Sequence, residues 1–260
     1  MAGSVRVTIF GSSAGFPTAK RLNTAIGVWR GEELYLVDTG EPTAAHLARR
    51  GVSPDTLRAV FITHTHADHL GGLPMLIQWL QLNHRSRPLV VCLPAGAVEG
   101  VRDFLNLLYL LPELLGFDLE LRPIAPGRLY DSDGVVVEAF ANRHVDWLAE
   151  HARAGGLPMP GSFSYRLTVD GKRICFSGDL REAKEVVALA QGVDLAVVEL
   201  AHFPPEELGE ALAGVAVPRL VVTHIIHTLE PVEEGIADRI RAAGCGGEVF
   251  VAKDGDEFSL

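Results

Sequence analysis

Thr63-His64-Thr65-His66-Ala67-Asp68-His69-Leu70-Gly71-Gly72 places three histidines and one aspartate within six residues. It directly follows an apolar run, residues 59–63, that reads as a buried strand. The C-terminal end of a strand, where it opens into a loop, is where α/β proteins place ligands. Alternate residues of extended backbone point the same way. His64 and His66 are therefore expected to reach one site, while Asp68 and His69 turn towards a second. Imidazole and carboxylate both suit zinc, manganese and iron. A surface loop carrying chance histidines would have no reason to show this spacing behind such a strand.

Working outward, short β-rich runs alternate with helical stretches. Residues 5–10, 25–29 and 34–37 read as strands, the last two joined as a hairpin through Arg30-Gly31-Glu32-Glu33. A helix is expected over 42–50, opened by Pro42 and closed by Gly51. Residues 70–82 suit a helix packed on a sheet, followed by a strand at 89–93 and helical material over 95–115. In the second half, strands are expected at 135–140, 164–169, 173–176, 195–199, 219–223, 248–252 and 257–260. Helices are expected at 181–190, 206–213 and 231–243, and Asp170-Gly171 and Asp254-Gly255 are turn signals. Two such halves predict two sheets covered by outer helices. Residues 142–161 are irregular, with Gly155-Gly156, Pro158 and Pro160, and a loop of this length is often functional. Within it, 145–153 is expected to form a short helix with Trp147 and Leu148 on one side, a lid over the metals, with a plain surface excursion as the alternative. The run 104–115 is expected to be ordinary core, with a pocket wall or a dimer face as alternatives.

The 260 residues contain no linker or tandem repeat and are expected to form a single domain over 1–260. Hydrophobic residues at 48% and charged residues at 22% exclude global disorder. The formal net charge is −10 and no dense basic run occurs. Long nucleic acid, which is gripped by Lys and Arg at its phosphates, is disfavoured. No apolar stretch reaches the roughly 20 residues of a membrane span, and the N-terminal stretch lacks the basic and long apolar regions of a signal peptide. Cys92, Cys175 and Cys245 are odd in number, widely spaced and outside any CxxC pair. They are expected to be buried, reduced thiols of a cytoplasmic protein.

The segment from Thr63 to Gly72 resembles the HxHxDH signature of the metallo-β-lactamase superfamily. Ile9-Phe10-Gly11-Ser12, Asn23-Thr24-Ala25 and Leu36-Val37-Asp38-Thr39-Gly40 resemble the opening of its ribonuclease Z-like branch. Phe176-Ser177-Gly178-Asp179 is similar to the later metal-binding aspartate motif, and Val222-Thr223-His224 to the last metal-binding histidine. The resemblance implies an α/β fold, a four-layer αββα sandwich, with two divalent metal ions at one edge of the sheets. It assigns His64, His66 and His144 to one ion, Asp68, His69 and His224 to the other, and Asp179 to both. His144, before Ser162-Phe163-Ser164-Tyr165, fits the family's third motif better than His151 does. Asp179 is also placed to cap a following helix. Three ligands and a bridge leave room for water, as catalytic sites do. The implied chemistry is attack of a metal-bridging hydroxide on phosphorus or a carbonyl, with Asp68 counted among the catalytic groups. Zinc or manganese is expected, and iron is also compatible.

Two further histidines carry weaker signals. His202, in Glu199-Leu200-Ala201-His202-Phe203, lies near the branch's His-Glu-Ala-Thr-like motif, where Glu199 matches and Val198 stands in place of the histidine. It is a candidate leaving-group acid or a plain loop residue. His227, in Thr223-His224-Ile225-Ile226-His227, resembles the Thr-His-x-x-His segment of the phosphoribosyl cyclic phosphodiesterases and is a candidate catalytic or substrate-contacting residue, or a plain turn residue. The glycine-rich basic arm with which some ribonuclease Z proteins grip transfer RNA is not visible. The leading expectation is a metal-dependent phosphodiesterase on small or cyclic phosphodiesters. The alternatives are a lactone or thioester hydrolase, transfer-RNA 3′ processing and a non-catalytic binding member. The expected partner is a small-molecule substrate, without membrane or long nucleic acid. A homodimer is left open because dimers are the commonest soluble assembly.

Overall fold

Strands β1 (Val5–Gly11), β2 (Ala25–Arg30) and β3 (Glu33–Val37) form an antiparallel meander in a computed structural model that describes residues 4–132 and 134–260. Residues 1–3, which begin the N-terminal stretch read above, lie outside the described residues. Strands β4 (Leu57–Phe61), β5 (Leu89–Pro94) and β6 (Leu119–Ile124) continue the sheet in parallel. The second sheet starts with β7 (Gly127–Ser132), β8 (Val135–Ala141), β9 (Phe163–Val169) and β10 (Lys172–Phe176), paired antiparallel. It continues in parallel with β11 (Leu195–Leu200), β12 (Arg219–Ile225) and β13 (Glu248–Val251). The closing strand β14 (Glu257–Ser259) returns to the first sheet beside β1. The turn at Asp254-Gly255 thus carries the chain from one sheet to the other.

The inner faces meet in one apolar layer. Val7, Ile9, Val28, Tyr35 and Phe61 face Val137, Tyr165, Leu167, Ile174 and Val197. The outer face of the first sheet is covered by α1 (Thr43–Arg49), α3 (Leu73–Leu82) and α4 (Val98–Leu107), which bury Leu47, Leu76, Leu80 and Leu105 against Leu36, Val60 and Val91. Helices α7 (Val186–Ala190), α8 (Pro205–Ala211) and α9 (Ile236–Ala242) cover the other sheet. This is the αββα sandwich. Strand β11 is buried at all six positions, as a strand covered on both faces must be. The Tyr165 hydroxyl donates to the Ile62 carbonyl at 2.6 Å, tying the second sheet to the exit of β4.

Several elements depart from the sequence reading. The helix expected over 70–82 is two helices, α2 (Ala67–Leu70) and α3. The Gly72 N–H donates to the Thr39 carbonyl at 2.7 Å, which turns the chain between them. The material over 95–115 also breaks, into α4 and α5 (Pro112–Leu115), around Tyr109 at φ 60°. Run 104–115 is not ordinary core. Leu105, Leu110 and Leu115 are buried, but Phe104, Leu107 and Tyr109 are 50%, 72% and 79% exposed. A helix on a sheet buries only one stripe. Strands β6 and β7 were not legible because they are sheet edges carrying Glu120, Arg122, Arg128 and Asp131, as edges commonly do. Residues 145–153 do form helix, a 3₁₀ turn (Asp146–Leu148) leading into α6 (Ala149–Ala154). No helix among the described residues is long and apolar enough to cross a membrane.

All three cysteines are free and buried, and burial pushes the Cys92 and Cys175 thiols up to about 12. Thiolate is the reactive form. The native protein is therefore expected to show no fast reaction with a chromogenic disulfide reagent at pH 8, and three thiols per chain after unfolding in guanidinium. One fast native thiol, or a single thiol in the unfolded chain, would contradict this.

Candidate metal centre

Strand β4 ends at Phe61, the chain bends at Thr63, and His66 is extended again (φ −62°, ψ 149°) where it enters α2. His64 and His66 consequently share one side, and the first turn of α2 swings Asp68 and His69 elsewhere. The tertiary structure completes both sets. His64, His66, His144 and Asp179 bring one ligand atom each to within 4.8 Å of one another, as do Asp68, His69 and His224. His144 follows β8, Asp179 follows β10, and His224 lies within β12, so both sheets contribute.

Hydrogen bonds behind the histidines fix which ring nitrogen faces inward. The Thr63 hydroxyl lies against the Asp38 carboxylate at 3.1 and 2.9 Å and can donate only to it, which leaves its lone pairs for His64 Nδ1–H at 3.0 Å. His69 Nδ1 donates to Asp38 Oδ2 at 2.8 Å. The Thr24 hydroxyl donates to the Ser13 carbonyl at 3.2 Å and accepts from His224 Nδ1 at 2.7 Å. All three residues thus turn an Nε2 lone pair inward, and outer partners of this kind fix the tautomer of metal-binding histidines. Asp179 Oδ2 lies 3.7, 3.6 and 3.2 Å from Nε2 of His64, His144 and His224, and its Oδ1 lies 3.3 Å from His69 Nε2. His69 Nε2 and Asp179 Oδ1 are buried, and apart from their own 3.3 Å contact neither has a hydrogen-bond partner. Native structures rarely leave buried polar atoms so. Bare lone pairs and carboxylate oxygens converging on one space fit divalent cations, and the chemistry of the donor set fits zinc or manganese.

The backbone is bent to aim these groups. Between β11 and β12 the register slips from Glu199↔Thr223 to Leu200↔Ile225, which leaves His224 as a bulge at φ 51°. Bulges re-aim side chains next to active sites. Asp38 sits at φ 61° and Gly178 at φ 56°. A Cβ on Gly178 would lie 2.9 Å from both the Phe163 carbonyl and Thr63 Cβ, so only glycine lets Asp179 approach the loop.

Burial, followed by the charge of His69, drives the His64 pKa well below its ordinary value, and burial lowers that of His144 to about 4. The neutral imidazole that results is the ligand form. Burial opposes ionisation of Asp179, but the His224 and His69 charges outweigh it and hold its pKa well down. Burial likewise opposes the charge on His69, and Asp179 and Asp38 outweigh it and raise its pKa, so a cation binding at Nε2 would displace a proton there.

His202 stands at the edge of this cluster. Its ring centroid is 4.7 Å from that of His144 and 6.2 Å from that of His224, and its Nδ1 is 2.9 Å from Glu199 Oε1. Glu199 is itself pinned by the N–H groups of Leu180, Ala201 and His202. Burial lowers the His202 pKa, but the Glu199 hydrogen bond and charge reverse this to a net rise. His227 is outside the cluster, exposed in a turn with its ring 5.1 Å from Phe16. It shares with His66, Asp68 and His202 a cavity of about 260 Å³. His151 is exposed on α6 near Trp147, away from the ligand groups. The sequence reading had not named Asp38, Thr63 or Thr24 as site residues. The signals were the position of Asp38 and Thr63 at strand ends and the place of all three residues in the segments that carry the family resemblance.

A family model described as a beta-lactamase superfamily domain matches residues 34–225. Curated relatives include the ribonuclease Z of Methanothermobacter thermautotrophicus, 28% identical over 85% of this chain and 86% of the relative. They also include that of Natronomonas pharaonis, 27% identical over 99% and 98% of the two chains. Among solved structures, the metallo-beta-lactamase fold protein YhfI from Bacillus subtilis superposes with a TM-score of 0.78 at 19% identity, covering 99% of this chain and all 100% of that one.

Replacing Asp38 with Ala removes the acceptor that holds Thr63 and His69. Loss of such an outer partner typically weakens metal affinity about ten- to hundredfold. Competition of zinc-loaded protein with a chromogenic chelator measures this, with circular dichroism to confirm that the variant folds. Wild-type affinity in a folded variant would show that Asp38 does not orient the site.

Proposed function

The chain belongs to the β-lactamase superfamily, and from that premise we propose that this metal-dependent hydrolase cleaves small or cyclic phosphodiesters. We read it as one domain over 1–260 with two divalent ions, one on His64, His66 and His144, one on Asp68, His69 and His224, and Asp179 between them. When bound, such ions would supply a water of lowered pKa and neutralise charge on the phosphoryl group.

The observation that carries the phosphodiester reading is the Glu199–His202 pair at 2.9 Å, set beside His144. An alkoxide leaving group needs a proton. The Glu199 charge favours the imidazolium, whose Nε2–H passes to the departing oxygen while Nδ1–H stays on Glu199. The imidazole regains its proton from solvent. Asp68, with Oδ2 held by the Gly15 N–H at 2.8 Å, orients the attacking water. His227, on Phe16, binds a non-bridging oxygen at the cavity rim.

A second reading, cleavage of transfer RNA, is favoured by the relatives, which are ribonuclease Z proteins. Two observations weigh towards small substrates. The net charge is −10, and the alignment with the Natronomonas relative runs over 311 positions against 260 residues here, so that relative carries insertions this chain lacks.

Initial rates with zinc- or manganese-loaded protein distinguish the readings. Bis(p-nitrophenyl) phosphate and a 2′,3′-cyclic nucleotide are expected to be hydrolysed, with activity lost in Asp179→Ala. Turnover confined to precursor transfer RNA would establish the second reading. Turnover confined to lactones or thioesters would refute both. His202→Ala is expected to slow diesters with an alkyl leaving group by about 10²–10⁴-fold. Diesters that expel p-nitrophenolate, which leaves without protonation, should slow far less. Equal losses on both would remove His202 from the acid role.

A further inference from the structure

A cavity of about 450 Å³ opens on the other side of the histidine loop, away from His202. Thr65 lines it, whereas the next residue, His66, lines the smaller cavity with His202 and His227. Leu70, directly after His69, also reaches it. One wall is α4, through Gly100, Val101 and Phe104. The other is α6 and the segment 157–161, the part of the chain that follows His144. Thr65 and His151 are the polar side chains among its lining residues, and the rest is apolar.

The cavity is built rather than incidental. A Cβ on Gly96 would lie 2.4 Å from the Met159 carbonyl, so the 3₁₀ turn before α4 (Ala95–Ala97) and the far wall meet backbone to backbone. Around the mouth Phe104, Leu157 and Met159 are 50%, 64% and 51% exposed. Such a grouping of exposed apolar side chains marks a binding site rather than a packing fault. The volume suits a small apolar group and lies within the range of ligand pockets, whereas a helix or a second chain would need a longer groove. The segment after His144, part of which was read from sequence as a lid, forms a side wall of this cavity through Leu148, His151, Ala152 and residues 157–161.

We propose that this cavity receives an apolar substituent, alkyl or aryl, of a substrate whose phosphoryl group sits at the histidine–aspartate cluster. The site then has two arms, a polar one towards His202 and His227 that takes the leaving group, and an apolar one under Phe104 and Met159. This inference rests on the phosphodiesterase reading for its substrate class, but the cavity can be tested without turnover.

Calorimetric titration of zinc-loaded protein with methylphosphonate and with hexylphosphonate reads the apolar arm directly. Burial of the longer chain is expected to make hexylphosphonate at least about thirtyfold tighter, with a more negative heat-capacity change. Gly100 offers a blocking position, because a Cβ there meets nothing within 4 Å. In Gly100→Trp the ratio is expected to fall below about threefold as the indole occupies the space that chain would fill. Equal binding of the two phosphonates by wild-type protein overturns the inference without any variant, and so does a preference that survives in folded Gly100→Trp. The parent reading fails separately. A chain-length preference without hydrolysis of any diester sinks the phosphodiesterase and keeps the cavity, whereas diester hydrolysis without the preference does the reverse.

Discussion

The carboxylate of Asp38 is the contact on which the site depends. It accepts from the Thr63 N–H at 2.7 Å, from the Thr63 hydroxyl and from His69 Nδ1. These bonds join the end of β3 to the exit of β4 and to α2. They also set the inward lone pairs of His64, through Thr63, and of His69. A buried carboxylate is costly unless it is hydrogen-bonded, and here its partners belong to the histidine loop. The strained conformation at φ 61° is tolerated because the surroundings over-determine it.

The sandwich supplies what a local motif cannot. Six of the proposed ligands are buried, and His66 partly so. Lone pairs facing one another without a cation are mutually unfavourable, and a loop alone would splay them apart. The apolar layer between the sheets and the helical layers outside them hold the strand ends in register. Tyr165 and the Phe163 N–H, which donates to the Thr63 carbonyl at 2.9 Å, fasten the histidine loop to the opposite sheet. Stability made in the core is thereby spent in keeping a destabilising constellation assembled, as functional sites generally require.

Around this centre the two sides differ in chemistry. One carries His202, His227 and the buried Glu199, all ionisable side chains. The other is walled by α4 and the segment after α6, and is apolar. His144 sits at the root of the second wall, so the segment that brings it to the histidine–aspartate cluster also shapes the cavity beside it.

The sequence by itself determined the features that are local. The period-two spacing of His64 and His66, the turn to Asp68 and His69, the alternation of strands and helices, and the resemblance that pointed to His144, Asp179 and His224 were all legible. So were the buried cysteines. Helix breaks at Gly72 and Tyr109 were not, because helical propensity does not register where a neighbouring strand end captures an N–H. Edge strands β6 and β7 escaped because their polar composition suits an edge. Tertiary structure alone decided the tautomer of each histidine, since the partners lie 31 residues away for Asp38–His69 and 200 for Thr24–His224. It also decided the pairing of His202 with Glu199 beside His144, the place of His227 on the rim, and the exposure of Phe104. Each of these depends on which distant chains meet at the sheet ends, and side-chain direction there follows from register and bulges that no local pattern encodes.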